Sequence, residues 1–432
     1  MKKLISLVCV AALTLSTLAG CGGSAAPAAT TAAPAASAAS EAKAEETTVA
    51  ASEAKAEETT AAASETKAEE TTAAASEAKA EETAAEAAAD AEGTVTITDH
   101  ADRTVTVPTD PKNVVVLDIY PIPSVLTVFL NSAEPLKAIA PVSMNAAKNG
   151  ILSELYPEIL NARTDILDGD DVNIEALAAM EPDLVIYTAS NKKIQEKLDN
   201  AGLTAVGMSP TKWNYDAIRT YDEWISLLSQ IFPSARKDEE VSEYSTRIYD
   251  MIQEKTKDIP ENERKRILFL FQYNDKTMIT SGSSFFGQWW CDAVGAVNVA
   301  NGVTADNSNA VITMEQVYEW NPDMIVITNF TPTQPDDLYN NTVGSDDWST
   351  VKAVQNHEVY KMPLGTYRTY TPGVDTPMTL QWLAQKAYPE IFGDIDLAEE
   401  VREYYNKLYG ITVTDEQIEA MYNPAKEAGF WK

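Results

Sequence analysis

Few side chains in this sequence have the type and spacing that catalysis or metal binding requires. His100 and His357 both lie in polar turn sequences, and we expect each to be a solvated turn residue. The serine-rich segment 281–284 lacks the Gly-x-Ser-x-Gly pattern and has no histidine at a recognisable companion position. The sequence also lacks glycine-rich phosphate loops of the Walker or Rossmann form. We therefore predict no catalytic residues and no site for a bare transition-metal ion, which would need clustered His, Cys and carboxylates.

The cysteines do not form a disulfide framework. Cys9 and Cys21 lie within the first two dozen residues, which leaves only Cys291 in the rest of the chain. Cys291 belongs to the segment 288–294, whose pattern is that of a helix facing a core. We expect a buried and chemically inert thiol there.

The most informative pattern occurs twice. Residues 173–186 and 313–327 share a Glu, a Pro-Asp pair and an apolar run at the same offsets. In each copy Asn173 or Thr313 is a suitable N-cap for a short helix, and the Glu that follows favours the positive end of the helix dipole. The proline ends the helix, and the apolar run lacks the alternation of a half-exposed strand. The repetition predicts two similar α/β lobes.

Segments on both sides of each repeat predict the remaining elements. Alternating residues 94–98 and 104–108 predict a hairpin, and buried strands are expected near 113–118, 136–141, 204–208, 266–271 and 359–362. Helices are expected near 124–130, 192–201, 285–294, 374–388 and 396–408. In open parallel sheets, ligands collect at the loops that follow the carboxyl ends of the strands.

Two long amphipathic patterns, 214–232 and 236–258, separate the predicted lobes. At 1.5 Å per residue the second would be about 35 Å long, which is enough to bridge two lobes as one rigid helix. We therefore expect a first lobe over 94–213, a helical segment over 214–258, and a second lobe with the tail over 259–432.

The amino terminus predicts export. Two lysines precede an apolar run, residues 4–18, that is too short for a confident membrane span. The run ends in Leu-Ala-Gly-Cys, which resembles the lipobox of bacterial lipoproteins, in which cleavage precedes an acylated cysteine. This resemblance implies a signal peptide over 1–20 and a lipid anchor at Cys21 on the outer face of the cell membrane. The alternative is an ordinary secretory signal.

Residues 21–93 have the composition of an acidic stalk. A twelve-residue repeat starts at Ser40, Ser52, Ser64 and Ser76, and the segment 22–93 holds fifteen acidic residues against four lysines. With almost no large apolar side chains, the segment cannot bury enough surface to offset its ordering entropy. The whole chain has a net charge of −32, which argues against nucleic acid or anionic lipid as partners.

From about residue 94 to about residue 409, the chain resembles the substrate-binding proteins of ABC importers for iron-siderophores, haem and cobalamin. The resemblance is carried by the order and spacing of motifs that are not specific alone. These are residues 99–108 ahead of 114–117, the two repeats, and Gly-Ala-Val-Asn at 295–298. It implies an α/β fold of two similar lobes with mainly parallel central sheets, joined by one long rigid helix.

In that family, one surface glutamate on each lobe pairs with arginines of the permease. The matching positions here are Glu175 and Glu315. A carboxylate can accept a bidentate arginine contact, which sets orientation as well as affinity. The alternative is that each glutamate only stabilises its helix start, by about 0.3–1 kcal/mol.

The resemblance also places a ligand between the lobes, on the loops that follow the strands. A ferric-siderophore is the leading ligand, delivered to a permease dimer with its ATPase, and haem, a corrinoid or a role as a surface adhesin are alternatives. Arg368 is informative, because a guanidinium beside tyrosines suits a planar, anionic chelate. The chelator would wrap the ferric ion, so the protein need supply no metal ligand and no cofactor. The candidate ligand-binding residues are Tyr120, Met144 and Asn191 in the first lobe and Tyr273, Trp289, Phe330, Tyr367, Arg368 and Tyr370 in the second.

Overall fold

The fold is given by a computed structural model that describes residues 93–168, 171–235, 237–304 and 310–431. The predicted signal peptide, the predicted lipidation site at Cys21 and the acidic repeats lie outside these residues. Within them, no helix has both the length and the apolar content to cross a membrane.

The first lobe starts with a hairpin and then alternates strands and helices. Its strands are β1 (Thr94–Thr98), β2 (Thr104–Pro108), β3 (Val114–Val116), β4 (Leu136–Ala138), β5 (Leu167–Asp168), β6 (Asp171–Val172), β7 (Leu184–Thr188) and β8 (Ala205–Met208). Its helices are α1 (Ile122–Leu130), α2 (Pro141–Asn149), α3 (Leu152–Leu155), α4 (Ile174–Ala178) and α5 (Lys192–Asn200), with a 3₁₀ turn at Pro157–Asn161.

The central sheet of the first lobe is entirely parallel, in the order β4-β3-β7-β8. The residues of β3 are all buried, as expected for a strand covered on both faces. The β1–β2 hairpin is tied to this sheet by Asp99, whose carboxylate accepts hydrogen bonds from the N–H of Gly207 (2.9 Å) and the guanidinium of Arg103 (2.8 Å). The turn sequence 99–103 therefore has a structural role.

Two helices carry the chain from the first lobe to the second. They are α6 (Ala217–Ile231) and α7 (Asp238–Thr256), and the 19 residues of α7 span about 29 Å. Helix α7 buries Val241, Ile248 and Ile252 at helical spacing, and Tyr221 of α6 shares a hydrogen bond with Tyr409 of the second lobe (2.6 Å). The prediction of one long connecting helix is confirmed.

The second lobe repeats the alternation with additional elements. Its strands are β9 (Arg266–Tyr273), β10 (Met278–Thr280), β11 (Val297–Asn298), β12 (Ala310–Ile312), β13 (Met324–Ile327) and β14 (Val359–Lys361). Its helices are α8 (Phe286–Ala293), α9 (Met314–Trp320), α10 (Pro335–Tyr339), α11 (Lys352–Gln355), α12 (Thr376–Ala387), α13 (Pro389–Phe392), α14 (Leu397–Tyr409) and α15 (Asp415–Tyr422), followed by a 3₁₀ turn at Lys426–Gly429.

The sheet of the second lobe has the order β12-β10-β9-β13-β14, with β11 paired to the start of β9. Strands β9, β13 and β14 are parallel, whereas β10 and β12 pair antiparallel at one edge. Sequence patterns did not predict this short antiparallel edge. The predicted α/β class, with two similar lobes and mainly parallel central sheets, is confirmed.

The aspartates of the two Pro-Asp pairs make equivalent hydrogen bonds in the two lobes. Asp183 Oδ2 accepts from the N–H groups of Lys112 (2.9 Å) and Asn113 (2.8 Å), just before β3. Asp323 Oδ2 accepts from the N–H of Arg266, at the start of β9 (3.0 Å). The Asp N–H in turn donates to the carbonyl of Asn113 or Arg266. Each aspartate therefore fixes the strand after its helix against the first strand of its sheet.

The equivalence continues at the other end of the same strands. Thr188 Oγ1 donates to the carbonyl of Asp118 (3.0 Å), and Thr328 Oγ1 donates to the carbonyl of Phe271 (2.7 Å). The strand registers place these residues at corresponding positions in the two sheets. In both lobes, the central pair of strands is thus joined by an aspartate at its start and by a threonine hydroxyl at its end.

Apolar side chains of the described residues form three cores. One lies within the first lobe and includes Val115 and Tyr187, and one lies within the second lobe and includes Leu268 and Trp348. The third runs from the first lobe through α6 and α7 into the second. The lobes are therefore in close contact, and the loops at the carboxyl ends of both sheets meet.

We expect Asp183→Ala and Asp323→Ala each to lower the free energy of unfolding by about 1–3 kcal/mol, because the N–H groups at the strand starts lose their acceptor. Asp183→Asn should cost less, since its amide oxygen can still accept. Urea denaturation measures both effects, with Glu319→Ala on the exposed face of α9 as the control. A loss no larger than that of the control would contradict the assigned role.

Candidate functional site

Loops from the two lobes meet at the carboxyl ends of the central strands. The N–H of Ile151, after α2, donates to the carbonyl of Gly365, after β14 (3.2 Å). Burial raises the pKa of Tyr367 above its ordinary value, an effect that Arg368 opposes and that Tyr120 of the first lobe adds to. Tyr120 and Tyr367, predicted from opposite lobes, are therefore close enough to interact electrostatically.

Aromatic rings line the second-lobe side of the contact. Phe330 packs on Phe271 (5.0 Å between ring centroids), and Tyr370 lies 5.5 Å from Phe271 and 5.4 Å from Phe285. The hydroxyl of Tyr370 accepts from the N–H of Gly287 (3.0 Å), which fixes the hydroxyl end of the ring. Two of the predicted candidates, Phe330 and Tyr370, thus belong to one aromatic cluster.

Arg368 lies beside this cluster and is fully buried. Its Nη2 donates to the carbonyls of Ala428 (2.8 Å) and Phe430 (2.7 Å), whereas Nε and Nη1 have no partner. Burial lowers the pKa of Arg368. Among the described residues no carboxylate lies within ion-pair distance of it. A buried guanidinium with unpaired donors favours an anionic oxygen acceptor.

The neighbouring hydroxyl of Tyr367 is also buried without a hydrogen-bond partner. Together with the two unpaired nitrogens of Arg368, it provides three donors that no described residue satisfies. A carboxylate, an oxyanion or a phenolate oxygen could accept from any of these donors.

The C-terminal tail, defined as residues 426–431, lies over Arg368. The indole N–H of Trp431 donates to the carbonyl of Phe330 (3.3 Å), and the two rings are 5.5 Å apart. From the first lobe, Asn145 on α2 donates to the carbonyl of Phe430 (2.7 Å). The Phe430 carbonyl is therefore shared between Asn145 of one lobe and Arg368 of the other.

Lys361 supports the loop that carries Phe330. Its buried ammonium donates to the carbonyls of Thr328 (2.9 Å), Thr331 (2.7 Å) and Thr333 (2.8 Å). Burial, helped by the nearby guanidinium of Arg368, lowers the pKa of Lys361 to about 7, against an opposing effect of Asp337. Two buried cations thus lie under the same group of loops.

Three other predicted candidates make their contacts away from the cluster around Arg368. Tyr273 packs in the second-lobe core, and its hydroxyl donates to Asp346 (2.8 Å). Asn191 caps α5, and its amide donates to Asp118 (2.7 Å). Trp289 stacks on a tyrosine of α7. Met144 is buried on α2, next to Asn145.

Two expectations about reactive side chains have different outcomes. His100 is half-buried rather than freely solvated, because its Nδ1 accepts from the N–H of Ser209 (3.2 Å) and its ring packs edge-on against Trp213. Burial lowers the pKa of His100 to about 4. Cys291 is fully buried as predicted, which raises its thiol pKa well above the ordinary value. His, Cys and carboxylate side chains form no metal-binding group within the described ranges.

Glu175 and Glu315 are both exposed, each in the first turn of its helix. The capping prediction is confirmed for Asn173, whose side chain accepts from the N–H of Ala176 (3.0 Å). Hydrogen bonds from Thr313 and from the backbone lower the pKa of Glu315, which favours its charged form. Both glutamates are available to a cationic partner.

A family model for periplasmic binding proteins matches residues 138–364, more than half of the chain. The chain belongs to the periplasmic binding protein family. It is 25% identical over 340 residues to the molybdate-binding protein MolA of Haemophilus influenzae, spanning 72% of this chain and 90% of the relative. It is also 25% identical over 268 residues to the Fe(3+)-citrate-binding protein YfmC of Bacillus subtilis, spanning 61% and 77%.

A solved periplasmic solute binding protein from Veillonella parvula has the same fold. It aligns with a TM-score of 0.67 at 26% identity and covers 76% of this chain and 96% of that structure. As a periplasmic binding protein, the present chain is the substrate-binding component of an ABC importer, and its place is outside the cytoplasm. Its family is one of solute-binding proteins rather than a class of enzymes.

Sequence reasoning missed several residues of this periplasmic binding protein that the structure brings together. The range matched by the family model ends before Arg368 and before the C-terminal tail. The tail did carry a signal, since Ala-Gly-Phe-Trp at 428–431 is an apolar run in a strongly acidic chain. Lys361 gave none, because a lysine at the end of a strand is normally exposed.

We expect Lys361 to make stability depend on pH. Its native pKa of about 7 lies below the ordinary lysine value of about 10.4, so between these pH values the unfolded chain binds more protons. The free energy of unfolding should therefore rise with pH above 7, by up to about 1.4 kcal/mol per unit, relative to Lys361→Met. Urea denaturation of both proteins from pH 6 to 9 tests this, and parallel pH profiles would refute it.

Proposed function

We propose that this periplasmic binding protein captures an anionic metal complex, of the ferric-siderophore or ferric-citrate kind, between its lobes. The observation that carries the proposal is the buried guanidinium of Arg368, which has two unpaired donor nitrogens and no described carboxylate partner. In a chain of net charge −32, a cation buried without an acid is best explained by an anion that arrives from outside.

The neighbours of Arg368 fit such a ligand. The unpaired Tyr367 hydroxyl and the rings of Tyr120, Phe330 and Tyr370 supply a hydrogen-bond donor and flat apolar surface for a chelate. The relative from Bacillus subtilis is a ferric-citrate-binding protein, which supports a carboxylate-rich iron complex. Asn191, Tyr273 and Trp289, whose contacts lie elsewhere, are not part of the proposed contact set.

A molybdate-like oxyanion is the second candidate. It is favoured by the similarity to a molybdate-binding protein, which extends over 72% of this chain. A tetrahedral oxyanion would use the same donors of Arg368 and Tyr367 but would need little of the aromatic surface. Haem and a corrinoid stay in the panel of ligands to be tested, because a tyrosine can ligate haem iron.

The delivery step rests on Glu175 and Glu315. Their exposure and their equivalent positions in the two lobes support docking on arginines of the permease, one contact for each lobe. A lipid anchor at Cys21 would hold the protein at the outer face of the membrane, with the acidic repeats between anchor and lobes.

Arg368→Leu should weaken binding of ferric citrate or molybdate by about 10–100-fold, because hydrogen bonds to a charged group contribute about 1.5–3 kcal/mol. Isothermal titration calorimetry measures the affinities, with ferric hydroxamates, catecholates, haem and cobalamin in parallel. Arg163→Leu is the control, since Arg163 is exposed and paired with Asp165. Equal affinities in wild type and Arg368→Leu would rule out the proposed contact.

The double variant Glu175→Ala with Glu315→Ala should abolish uptake of the radiolabelled ligand in cells while ligand affinity stays unchanged, because only the permease contacts are lost. The matched control is Glu239→Ala with Glu243→Ala on the exposed face of α7, which should transport normally. Loss of ligand binding in the first double variant would argue against a docking role.

A further inference from the structure

The C-terminal tail binds one nitrogen of Arg368, the residue that the proposed ligand would contact. Arg368 Nη2 from the second lobe and Asn145 Nδ2 from the first both donate to the carbonyl of Phe430, each at 2.7 Å. A backbone carbonyl carries a partial negative charge and lies here where an oxygen of an anionic ligand would lie. The tail therefore imitates part of a ligand.

The path of the tail is specified by its sequence. Gly429 passes so close to the backbone of Thr331 and Pro332 that any side chain at this position would clash with them. Trp431 then packs against Phe330, and the guanidinium of Arg368 lies 5.6 Å from the centre of the Trp431 ring. This position of the tail requires a glycine at 429 for the close approach and an aromatic residue at 431 for the ring contact.

The tail is nevertheless held less firmly than a core segment. Phe430 is 45% exposed and Trp431 is 39% exposed, so much of their apolar surface stays in water. Arg368 beneath them is fully covered, and its Nε and Nη1 are unsatisfied as long as the cover is in place. Exchanging the tail for a ligand that satisfies these nitrogens would remove an unfavourable feature of the closed state.

We propose that residues 426–431 are an internal occupant of the ligand site, and that an anionic ligand displaces them before it binds Arg368. This inference rests on the proposed function, because it assigns Arg368 to the ligand. The apparent affinity is then the intrinsic affinity reduced by the fraction of molecules whose tail has left the site. The tail also favours release, since it can reoccupy the site as the ligand leaves for the permease.

Removal of the tail tests the competition. A chain that ends at Ala425 should bind ferric citrate or molybdate at least about tenfold more tightly than the full chain, because no tail has to be displaced. Gly429→Val, which displaces the tail without shortening the chain, should change affinity in the same direction. It also serves as the test if the shortened chain does not fold by circular dichroism.

The control variant is Glu154→Ala. It removes a different hydrogen bond between the lobes, from Gln417 Nε2 to Glu154 Oε2 (3.0 Å), and leaves the tail intact. Its affinity should equal that of the wild type. An equal gain in Glu154→Ala would mean that any loosening of the lobes raises affinity, and unchanged affinity in both tail variants would overturn the inference.

A measurement without ligand separates the two proposals. Phenylglyoxal modifies accessible arginines, and peptide mass spectrometry would show Arg368 protected in the full chain and modified in the chain that ends at Ala425. Equal protection in both would refute the tail as the cover of Arg368. If Arg368 is uncovered but neither ferric citrate nor molybdate binds to either chain, the covering role stands and the proposed ligand class fails.

Discussion

The arrangement of both lobes depends on one hydrogen-bonding device, the aspartate of the Pro-Asp pair. Asp183 and Asp323 accept from the N–H groups at the start of the neighbouring first strand, and their own N–H groups return a bond to that strand. Because a parallel pair shifted by one residue would turn every side chain to the wrong face, this anchor sets the register of each sheet. It thereby sets where the strands end, and the loops of the proposed site follow those ends.

The loops that meet between the lobes bury a positive charge whose hydrogen-bond donors the rest of the structure does not fully satisfy. Arg368 and Lys361 are both buried, and desolvation lowers the pKa of each side chain. Of the two, only Lys361 has a hydrogen-bond acceptor for every N–H of its charged group. Burying a charge is unfavourable unless it is paired, so the half-satisfied Arg368 marks the place where the fold alone does not reach its lowest energy. The partly exposed tail provides two carbonyl acceptors for Arg368, and these hydrogen bonds stabilise the charge less than a carboxylate would.

The sequence was sufficient for the duplicated helix and strand, the long connecting helix and the loop ends, because each follows from periodicity and capping that a single segment displays. Tyr273 shows where such reasoning fails. In the pairing of β9 with β10, Gln272 and Leu270 are consecutive partners and Phe271 is skipped. This bulge moves Tyr273 onto the face of Leu268 and Leu270, and so into the core. Alternation within one segment cannot reveal a bulge, nor can it bring residue 431 to residue 368.

Charge gives a further constraint on how the proposed ligand is recognised. A chain with a net charge of −32 repels an anion at distances greater than a few ångströms, and salt weakens that repulsion over a Debye length of about 8–10 Å. The proposed ligand would be attracted only at short range, by contacts with Arg368. These contacts would be strong because Arg368 is buried away from water. An acidic surface that disfavours unbound anions, combined with the buried guanidinium of Arg368, would select for ligands that also satisfy the hydroxyl and aromatic contacts around it. Selectivity would then come from the fit inside the closed site rather than from long-range attraction.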